Sequence, residues 1–357
     1  MATGILGLGT FLPPSIRTNA WWPADVIAGW HDRVGHSATR GEPAGPTPGL
    51  GLQRTFAAMA EYADDPFRGA RERHVMDGAL TVPQMEANAA RIALARARVA
   101  PSEIDVVLAQ TPVPEHLMVN GACTTHRLLE LPRRCLVLGT EGACNGFALH
   151  FSLASALIAS GQAKRVLSLH SSAITRVHGP SEPQSAWWGD GAAAAVFGDV
   201  GEGRGLLAAV HQADGSSSEA LVLGVPGARW WEPGAITTHA VDKAHTRTML
   251  VTLADRAAEA IAMALTEAGV RRDEVELYAS HQGTAWFTKL TAQCAGISHA
   301  KTLVTFPALG NMNSVNVPYI LATAEAQGLV RDGAIAVTFS GGLGETWSAL
   351  VVKWGRA

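Results

Sequence analysis

The chain has 357 residues, a formal net charge of −3, 47% hydrophobic and 17% charged residues. This length allows one large domain or two of ordinary size, and the composition is that of a packed enzyme, not a disordered or fibrous chain. No Lys/Arg block suggests nucleic-acid binding, and no apolar run approaches the ~20 residues of a membrane span. Four cysteines without a C-x-x-C pair argue against structural zinc and secretion. We therefore expect a cytoplasmic protein with no nucleic-acid or membrane partner.

The N-terminal 66 residues contain one predicted strand and one irregular stretch. Residues 1–13 have the apolar pattern of a strand. Residues 21–66 combine Trp21, Trp22 and Trp30 with a run of Gly and Pro between 41 and 46, which is typical of loops. We interpret 21–66 as an insertion beside the functional site.

The rest of the chain reads as an internal duplication. An Ala-rich helical pattern leads into a strand-like run in each half, and Glu103 matches Glu274 at an offset of 171 residues. A second helix and strand follow in each half. The matching pairs are 86–99 with 104–109 and 253–270 with 275–279, then 143–160 with 166–169 and 317–328 with 335–339.

Strands that alternate with helices predict parallel sheets covered on both faces, here in two copies stacked as α/β/α/β/α. Residues 207–248 lack periodicity and are predicted to be loops or a short excursion strand. We place the domain boundary there, with an N-terminal half at 1–206 and a C-terminal half at 207–357. Ligands of such folds bind beyond the carboxyl ends of the strands, so residues that follow strands are the site candidates.

Cys144 is the first of these candidates. It follows the predicted strand 136–138 and opens the helix that runs to Ser160. A helix N-terminus lowers the pKa of a thiol and favours the nucleophilic thiolate. Cysteine is more often a small buried apolar residue, and that interpretation is kept for the others, namely Cys123, Cys135 and Cys294.

The second half supplies the partners of Cys144. His281 comes at the end of the predicted strand 276–280 and, by the duplication, lies opposite Cys144. A polar turn at 310–318 occupies the place that the Cys144 turn holds in the first half. One of Asn311, Asn313 and Asn316 could donate to a carbonyl oxygen there, while the others shape the turn, and the residues alone do not choose among them.

Two glycine-rich turns complete the set. Residues 340–344 follow the strand 334–339, and the amides of Gly341 and Gly342 could approach a substrate oxygen, although a plain tight turn is the alternative. Residues 187–191 are predicted to form a turn that leads into the buried strand 192–197, for which no catalytic role is needed.

These motifs resemble the β-ketoacyl-acyl-carrier-protein (ACP) synthase III family of the thiolase superfamily. The similarity spans nearly the whole chain apart from the insertion. It rests on the nucleophile motif Ala143–Phe147, the Gly-Asp-Gly-Ala turn at Trp188–Ala192, the His motif Ser280–Gln282 and, less specifically, on residues 4–13 and 71–74. The spacing from Gly310 to Val317-Pro318 matches the family's Asn motif and selects Asn311.

The resemblance implies a thiolase fold and a triad of Cys144, His281 and Asn311. In the family mechanism the Cys takes an acyl group from a coenzyme A or carrier-protein thioester. The His and Asn then bind the thioester carbonyl of malonyl-ACP and stabilise the enolate formed on decarboxylation. The resemblance also implies an oxyanion hole from the amides of Cys144 and Gly341 or Gly342, no bound cofactor or metal, and a homodimer in which Met118 closes the partner's acyl pocket.

Three departures from the family put the choice of donor in question. Gly283-Thr284 replaces the usual Ala-Asn, Phe67 stands where an Arg that contacts coenzyme A is common, and the insertion covers the expected coenzyme entrance. The alternative to condensation is acyl transfer from Cys144 to a hydroxyl or amine. A non-catalytic partner role is disfavoured by the intact triad. A biosynthetic thiolase is disfavoured because Phe339-Ser340 stands where a second catalytic Cys would be.

Overall fold

The computed structural model describes residues 2–34 and 49–356. Residues 35–48 of the predicted insertion lie outside the described residues. The strands are β1 (Thr3–Phe11), β2 (Ser15–Thr18), β3 (Glu72–Val75), β4 (Val106–Gln110), β5 (Leu136–Thr140), β6 (Val166–Ser172), β7 (Gly191–Asp199), β8 (Gly205–Ala213), β9 (Leu221–Gly224), β10 (Thr237–Ala240), β11 (Val275–Ser280), β12 (Ile335–Gly342) and β13 (Thr346–Lys353). The helices are α1 (Ala24–Val34), α2 (Leu50–Ala60), α3 (Val82–Ala97), α4 (Gly121–Leu128), α5 (Gly146–Ala159), α6 (Lys243–Ala268), α7 (Phe287–Ala295), α8 (Phe306–Leu309) and α9 (Asn316–Ala326).

Two mixed sheets form the frame. The first has the order β1-β7-β6-β4-β5 and the second β11-β12-β13-β8. Within them β6, β4 and β5 are parallel, as are β11 and β12, but β7 and β13 run antiparallel to their neighbours. The prediction of purely parallel sheets was therefore wrong. β13 follows β12 through a short turn, without the crossover helix that a parallel connection requires.

The layers follow the predicted α/β/α/β/α order, and the thiolase-fold class is confirmed. Helices α3 and α4 pack on the first sheet, α6 and α7 on the second, and α5 and α9 contact strands of both. The sequence of α5 is apolar almost all round, which is the pattern of a helix buried on every side. Phe147 and Phe151 of α5 are 1% and 0% exposed in the core shared with α9, and each buried ring contributes about 1.5–3 kcal/mol.

Several helix ends follow directly from the sequence. Thr81 forms a capping box with Gln84 at the start of α3, and Asp242 accepts from the amides of Ala244 and His245 at the start of α6. The left-handed Gly269 (φ 64°) ends α6. Because its N-cap lies at Asp242, α6 begins ten residues earlier than predicted. The sequence before residue 253 has little helical periodicity, so the first turns of α6 were not predicted.

The stretch 207–248 is more ordered than predicted. It contains most of β8, the hairpin of β9 and β10, and the first turn of α6. The predicted domain boundary falls inside β8, which pairs with β13 in the second sheet. The change of sheet therefore lies between β7 and β8, at residues 199–205.

The described part of the insertion packs against both halves. The amide of Gly51 at the start of α2 donates to Asp255 Oδ1 of α6 at 2.9 Å, and the negative charge also suits the helix N-terminus. Trp22, Trp30 and Phe67 form an edge-to-face aromatic cluster with ring centroids 5.7–5.9 Å apart. Arg73 lies over the Trp22 ring at 4.8 Å.

No helix among the described residues has the length and apolarity of a membrane span. Within the same ranges, no group of three or more His, Cys, Asp or Glu side chains is arranged to hold a metal ion.

Candidate active site

Two short 3-10 helices, one in each half, form the centre of the candidate site. The first (Ala143–Asn145) connects β5 to α5, and the second (Asn313–Val315) leads into α9. The residue that opens each one has a left-handed backbone, with φ 44° at Ala143 and 59° at Asn313. The two helices contact each other directly. The duplicated chain thus brings its two equivalent turns together between the sheets.

Cys144 is nearly buried, with 7% of its surface exposed. Its Sγ donates a hydrogen bond to Asn313 Oδ1 at 3.5 Å. Burial raises the pKa of the thiol to about 12, and the nearby Glu141 carboxylate acts in the same direction. The helix-end amide lowers this pKa but by less, because desolvation of a thiolate outweighs one backbone hydrogen bond. Burial therefore works against the thiolate that the helix start favours, and the raised pKa favours the thiol.

The Cys144 turn is held by groups from the second half. Ser340 Oγ donates to Asn145 Oδ1 at 2.9 Å, and Asn145 Nδ2 donates to Thr346 Oγ1 at 3.3 Å. A Cβ added at Gly342 would lie 2.7 Å from the carbonyl oxygen of Gly142, whereas one at Gly341 would meet only the Leu253 side chain at 3.0 Å. Of the two predicted glycines, Gly342 is the one that lies against the turn.

His281 follows β11 directly, and its amide donates to the Phe339 carbonyl at 2.8 Å. Burial lowers the pKa of the imidazole to about 4, while the Asn313 backbone and the Asn316 side chain partly oppose the shift. The ring is therefore neutral near pH 7. Among the described residues its buried Nδ1 has no hydrogen-bond partner.

Asn311 is fixed through its backbone by the Gly-Asp-Gly-Ala turn. Its amide donates to the Trp187 carbonyl at 2.7 Å, and its own carbonyl accepts from Gly189 at 3.0 Å. The approach is close enough that a Cβ at Gly189 would lie 1.9 Å from the Leu309 oxygen. Asp190 in this turn is fully buried and accepts from Met76 and Thr175, so it holds backbone segments together.

The side chains of His281 and Asn311 converge beside Gly283. A Cβ added at Gly283 would lie 3.3 Å from His281 Nε2 and 3.9 Å from Asn311 Nδ2. The Asn311 Oδ1 is occupied by the amide of Asn313, at 2.8 Å. Two nitrogens that can each donate a hydrogen bond therefore face the same space, a geometry suited to a carbonyl oxygen.

Sequence reasoning missed the contact of Asn313 with Cys144, since it selected Asn311 by spacing and assigned the other asparagines to turn formation. It also missed a buried polar network behind the site. His150 bonds Thr140 Oγ1 at 2.6 Å and Ser168 Oγ at 2.8 Å. His170 bonds the same Ser168 Oγ at 2.7 Å and Ser314 Oγ at 3.3 Å. The only signal was the period-2 spacing of Ser168 and His170 on β6.

Met118 lies on the loop between β4 and α4 and is 91% exposed. A side chain so exposed does not line a pocket of its own subunit. Phe67 lies in the aromatic cluster of the insertion, and the Thr284 hydroxyl beside Gly283 is buried with no hydrogen-bond partner among the described residues.

Comparison with known proteins finds similarity to one enzyme family. Residues 139–215 match the family described as 3-oxoacyl-[acyl-carrier-protein (ACP)] synthase III, and residues 265–354 match its C-terminal part. The β-ketoacyl-[acyl-carrier-protein] synthase III of Bacillus pumilus is 26% identical over the full length of both chains.

Solved structures show the same fold at low sequence identity. The 3-oxoacyl-[acyl-carrier-protein] synthase III of Aquifex aeolicus matches with a TM-score of 0.78 and 23% identity, covering 99% of this chain and 100% of that one. The priming β-ketosynthase of the R1128 polyketide pathway matches with a TM-score of 0.80 and 21% identity, covering 99% and 97%.

The duplicated fold, with a cysteine at a helix start in one half, is that of a thiolase-fold enzyme. Within that class the chain is similar to the 3-oxoacyl-ACP synthase III family. It is accordingly an enzyme of the acyltransferase class.

Proposed function

We propose that the protein catalyses a decarboxylative Claisen condensation between an acyl group carried on Cys144 and a malonyl thioester. The observation that carries the proposal is the convergence of His281 Nε2 and Asn311 Nδ2 on the space beside Gly283. Acyl transfer to a hydroxyl or amine calls for a base beside the acceptor. Two nitrogen donors that face one point are instead suited to the oxygen of an enolate.

The first half-reaction loads the enzyme. Cys144 Sγ bonds to the acyl carbon of a coenzyme A or carrier-protein thioester, the carbon–sulfur bond to the carrier breaks, and the thiol proton of Cys144 ends on the departing thiol. Amides of Cys144 and Gly342 are the proposed donors to the tetrahedral oxyanion. The position of Gly342 against the Gly142 carbonyl supports Gly342 over Gly341 as the second donor. One oxyanion donor stabilises the transition state by about 3–4 kcal/mol.

The second half-reaction forms the carbon–carbon bond. The thioester carbonyl of malonyl-ACP accepts hydrogen bonds from His281 and Asn311, the bond to the carboxylate breaks, and carbon dioxide leaves with the enolate held by both donors. The enolate carbon attacks the acyl carbon on Cys144. Sγ is then released and regains a proton, and the product is a β-ketoacyl thioester. The lowered pKa of His281 favours the neutral ring, which donates through Nε2 in the tautomer that carries its proton there.

The identity of the acyl donor and the metabolic pathway are finer parts of the proposal. We propose a role in fatty-acid-like synthesis or in polyketide and other specialised metabolism, and the priming polyketide ketosynthase among the similar folds fits the second. No bound cofactor is required, and a cytoplasmic location stays a prediction from the sequence.

We also propose a homodimer. β5 lies at the edge of the first sheet, with Leu136 and Leu138 54% and 40% exposed, although parallel strands are normally covered. Leu117, Met118 and Val119 form an exposed apolar stretch after β4. A second copy that covers these surfaces would place Met118 in the partner's acyl pocket.

Intact-mass analysis with a panel of acyl thioesters tests the function. Wild type should gain the acyl mass, and Cys144→Ala should not. Malonyl-ACP should then release carbon dioxide and a β-ketoacyl product. Absence of a mass gain on wild type with every thioester would refute the acyl-enzyme. Acylation followed by an ester or amide product, with no carbon dioxide, would establish the acyl-transfer alternative, which the comparisons do not favour.

A further inference from the structure

Asn313 contacts Cys144 in a way that the proposed condensation does not require. It is 5% exposed, and its side-chain oxygen accepts the hydrogen bond from Cys144 Sγ at 3.5 Å. Among the described residues, the side-chain amide of Asn313 is thus the polar side-chain partner of Cys144 Sγ.

The backbone of Asn313 reaches the other two residues of the proposed triad. Its amide donates to Asn311 Oδ1 at 2.8 Å, and its backbone lies near the His281 ring. A change in the position of Asn313 would therefore be felt at all three residues. The side chain and the backbone have separable roles, because only the side chain touches Sγ.

We propose that the side-chain amide of Asn313 is a positioning residue for the nucleophile: it holds Cys144 as an oriented thiol until an acyl thioester arrives. An oxygen that accepts the S–H hydrogen bond stabilises the protonated sulfur over the thiolate. It also favours the side-chain torsion of Cys144 that points the thiol at Asn313. The part of this inference that concerns acylation rests on the proposed function.

The competing explanation is conformational. Asn313 has φ 59°, and asparagine is among the residues that adopt the left-handed region most readily. In that case the side chain is incidental. Glycine adopts the same backbone without strain, so Asn313→Gly removes the amide and keeps the conformation. Asn313→Asp keeps the shape but replaces the amide by an acceptor that carries a charge.

The experiment measures alkylation of Cys144 by iodoacetamide against pH, followed by the mass of the peptide that contains Cys144, because the exposed Cys123 and the part-exposed Cys135 and Cys294 also react. This readout does not depend on any substrate. We expect the midpoint to move to lower pH in Asn313→Gly, with a several-fold faster rate at pH 8, and to higher pH with about tenfold slower alkylation in Asn313→Asp. Enzymatic acylation should fall about tenfold in Asn313→Gly, opposite in direction to its alkylation. Identical alkylation profiles in wild type and both variants would overturn the proposal.

A double mutant separates Asn313 from Asn311. In a Cys144→Ala background, malonyl decarboxylation depends on His281 and Asn311 but not on Sγ. Adding Asn313→Gly should leave this rate within about twofold. A large further loss would show that Asn313 acts through Asn311 and not through the thiol, which refutes the assignment. If no thioester acylates wild type, the proposed function fails, while the alkylation profiles still decide the role of Asn313.

Discussion

Ala143 and Asn313 are equivalent residues of the two halves: each opens a 3-10 helix with a left-handed backbone, and the two helices contact each other between the sheets. The residue after Ala143 is the proposed nucleophile. Two residues before Asn313 lies the proposed carbonyl donor Asn311. A duplicated turn has thus become two different halves of one site, because the side chains that follow the same backbone bend differ.

The close packing of Gly342 predicts that Gly342→Ala abolishes acylation. Its Cβ would lie 2.7 Å from the Gly142 carbonyl oxygen, so the Cys144 turn must move and the proposed oxyanion donors lose their alignment. We expect a 10²–10³-fold lower single-turnover acylation rate, in line with the loss of one oxyanion donor. Gly341→Ala is the matched control, since its Cβ meets only a flexible Leu253 side chain at 3.0 Å. Equal losses in both variants would contradict the assignment.

The lowered pKa of His281 predicts that the rate of malonyl decarboxylation declines only at unusually low pH. The folded-state pKa is about 4, below the ordinary 6.5, so the neutral ring persists as the pH falls through 6.5 and becomes charged only near pH 4. Malonyl decarboxylation, measured as carbon dioxide release in a Cys144→Ala background, should therefore stay level down to about pH 5. His281→Ala should decarboxylate slowly and should not show the decline in rate near pH 4. A midpoint near pH 6.5 would mean that the ring titrates as if it were exposed.

Glu86 gives a stability prediction away from the site. Its carboxyl accepts from Thr125 and Ser171, and burial raises its pKa from 4.5 to about 7. Between pH 4.5 and 7 the folded state keeps the proton of Glu86, whereas the unfolded state releases it. The stabilisation by the protonated carboxyl is therefore present below pH 4.5 and is lost as the pH rises through 7. Glu86→Gln does not titrate at this position. The difference in free energy of unfolding between Glu86→Gln and wild type should therefore change by about 2–3 kcal/mol in favour of the variant from pH 5 to pH 7.5.

Urea unfolding at the two pH values measures this difference. The exposed Glu202→Gln serves as the control and should show no such change relative to wild type. A pH-independent difference between Glu86→Gln and wild type would show that the carboxyl is charged in the folded protein throughout.

The buried network predicts that Ser168→Ala is costly. Ser168 Oγ joins His150 and His170, and its loss leaves one nitrogen of each ring without a partner in the core. Each orphaned group costs about 1–3 kcal/mol, so we expect about 3 kcal/mol less stability by chemical unfolding. Ser152→Ala is the matched control. It removes a Ser–His hydrogen bond to His211 at 2.7 Å, at a position where water can replace it, and should cost less than about 1 kcal/mol.

Much of the fold could be read from the chain. The repeated helix–strand pairs predicted the layered duplication, including the helix at 143–160 that the structure places between the sheets. The motifs around Cys144, His281 and Asn311 led to the family whose models match residues 139–215 and 265–354. Periodicity and local motifs carry these features because they depend on short-range order along the chain.

Tertiary structure decided the rest. The sequence placed Cys144 at a helix start and so predicted a thiolate, but the burial that raises its pKa arises from residues far along the chain. The choice of Gly342 over Gly341 depends on an approach between residues 200 positions apart. Asn313 meets Cys144 only because the two halves pack face to face. Desolvation, close packing and contacts across the duplication are properties of the assembled core, and no local pattern encodes them.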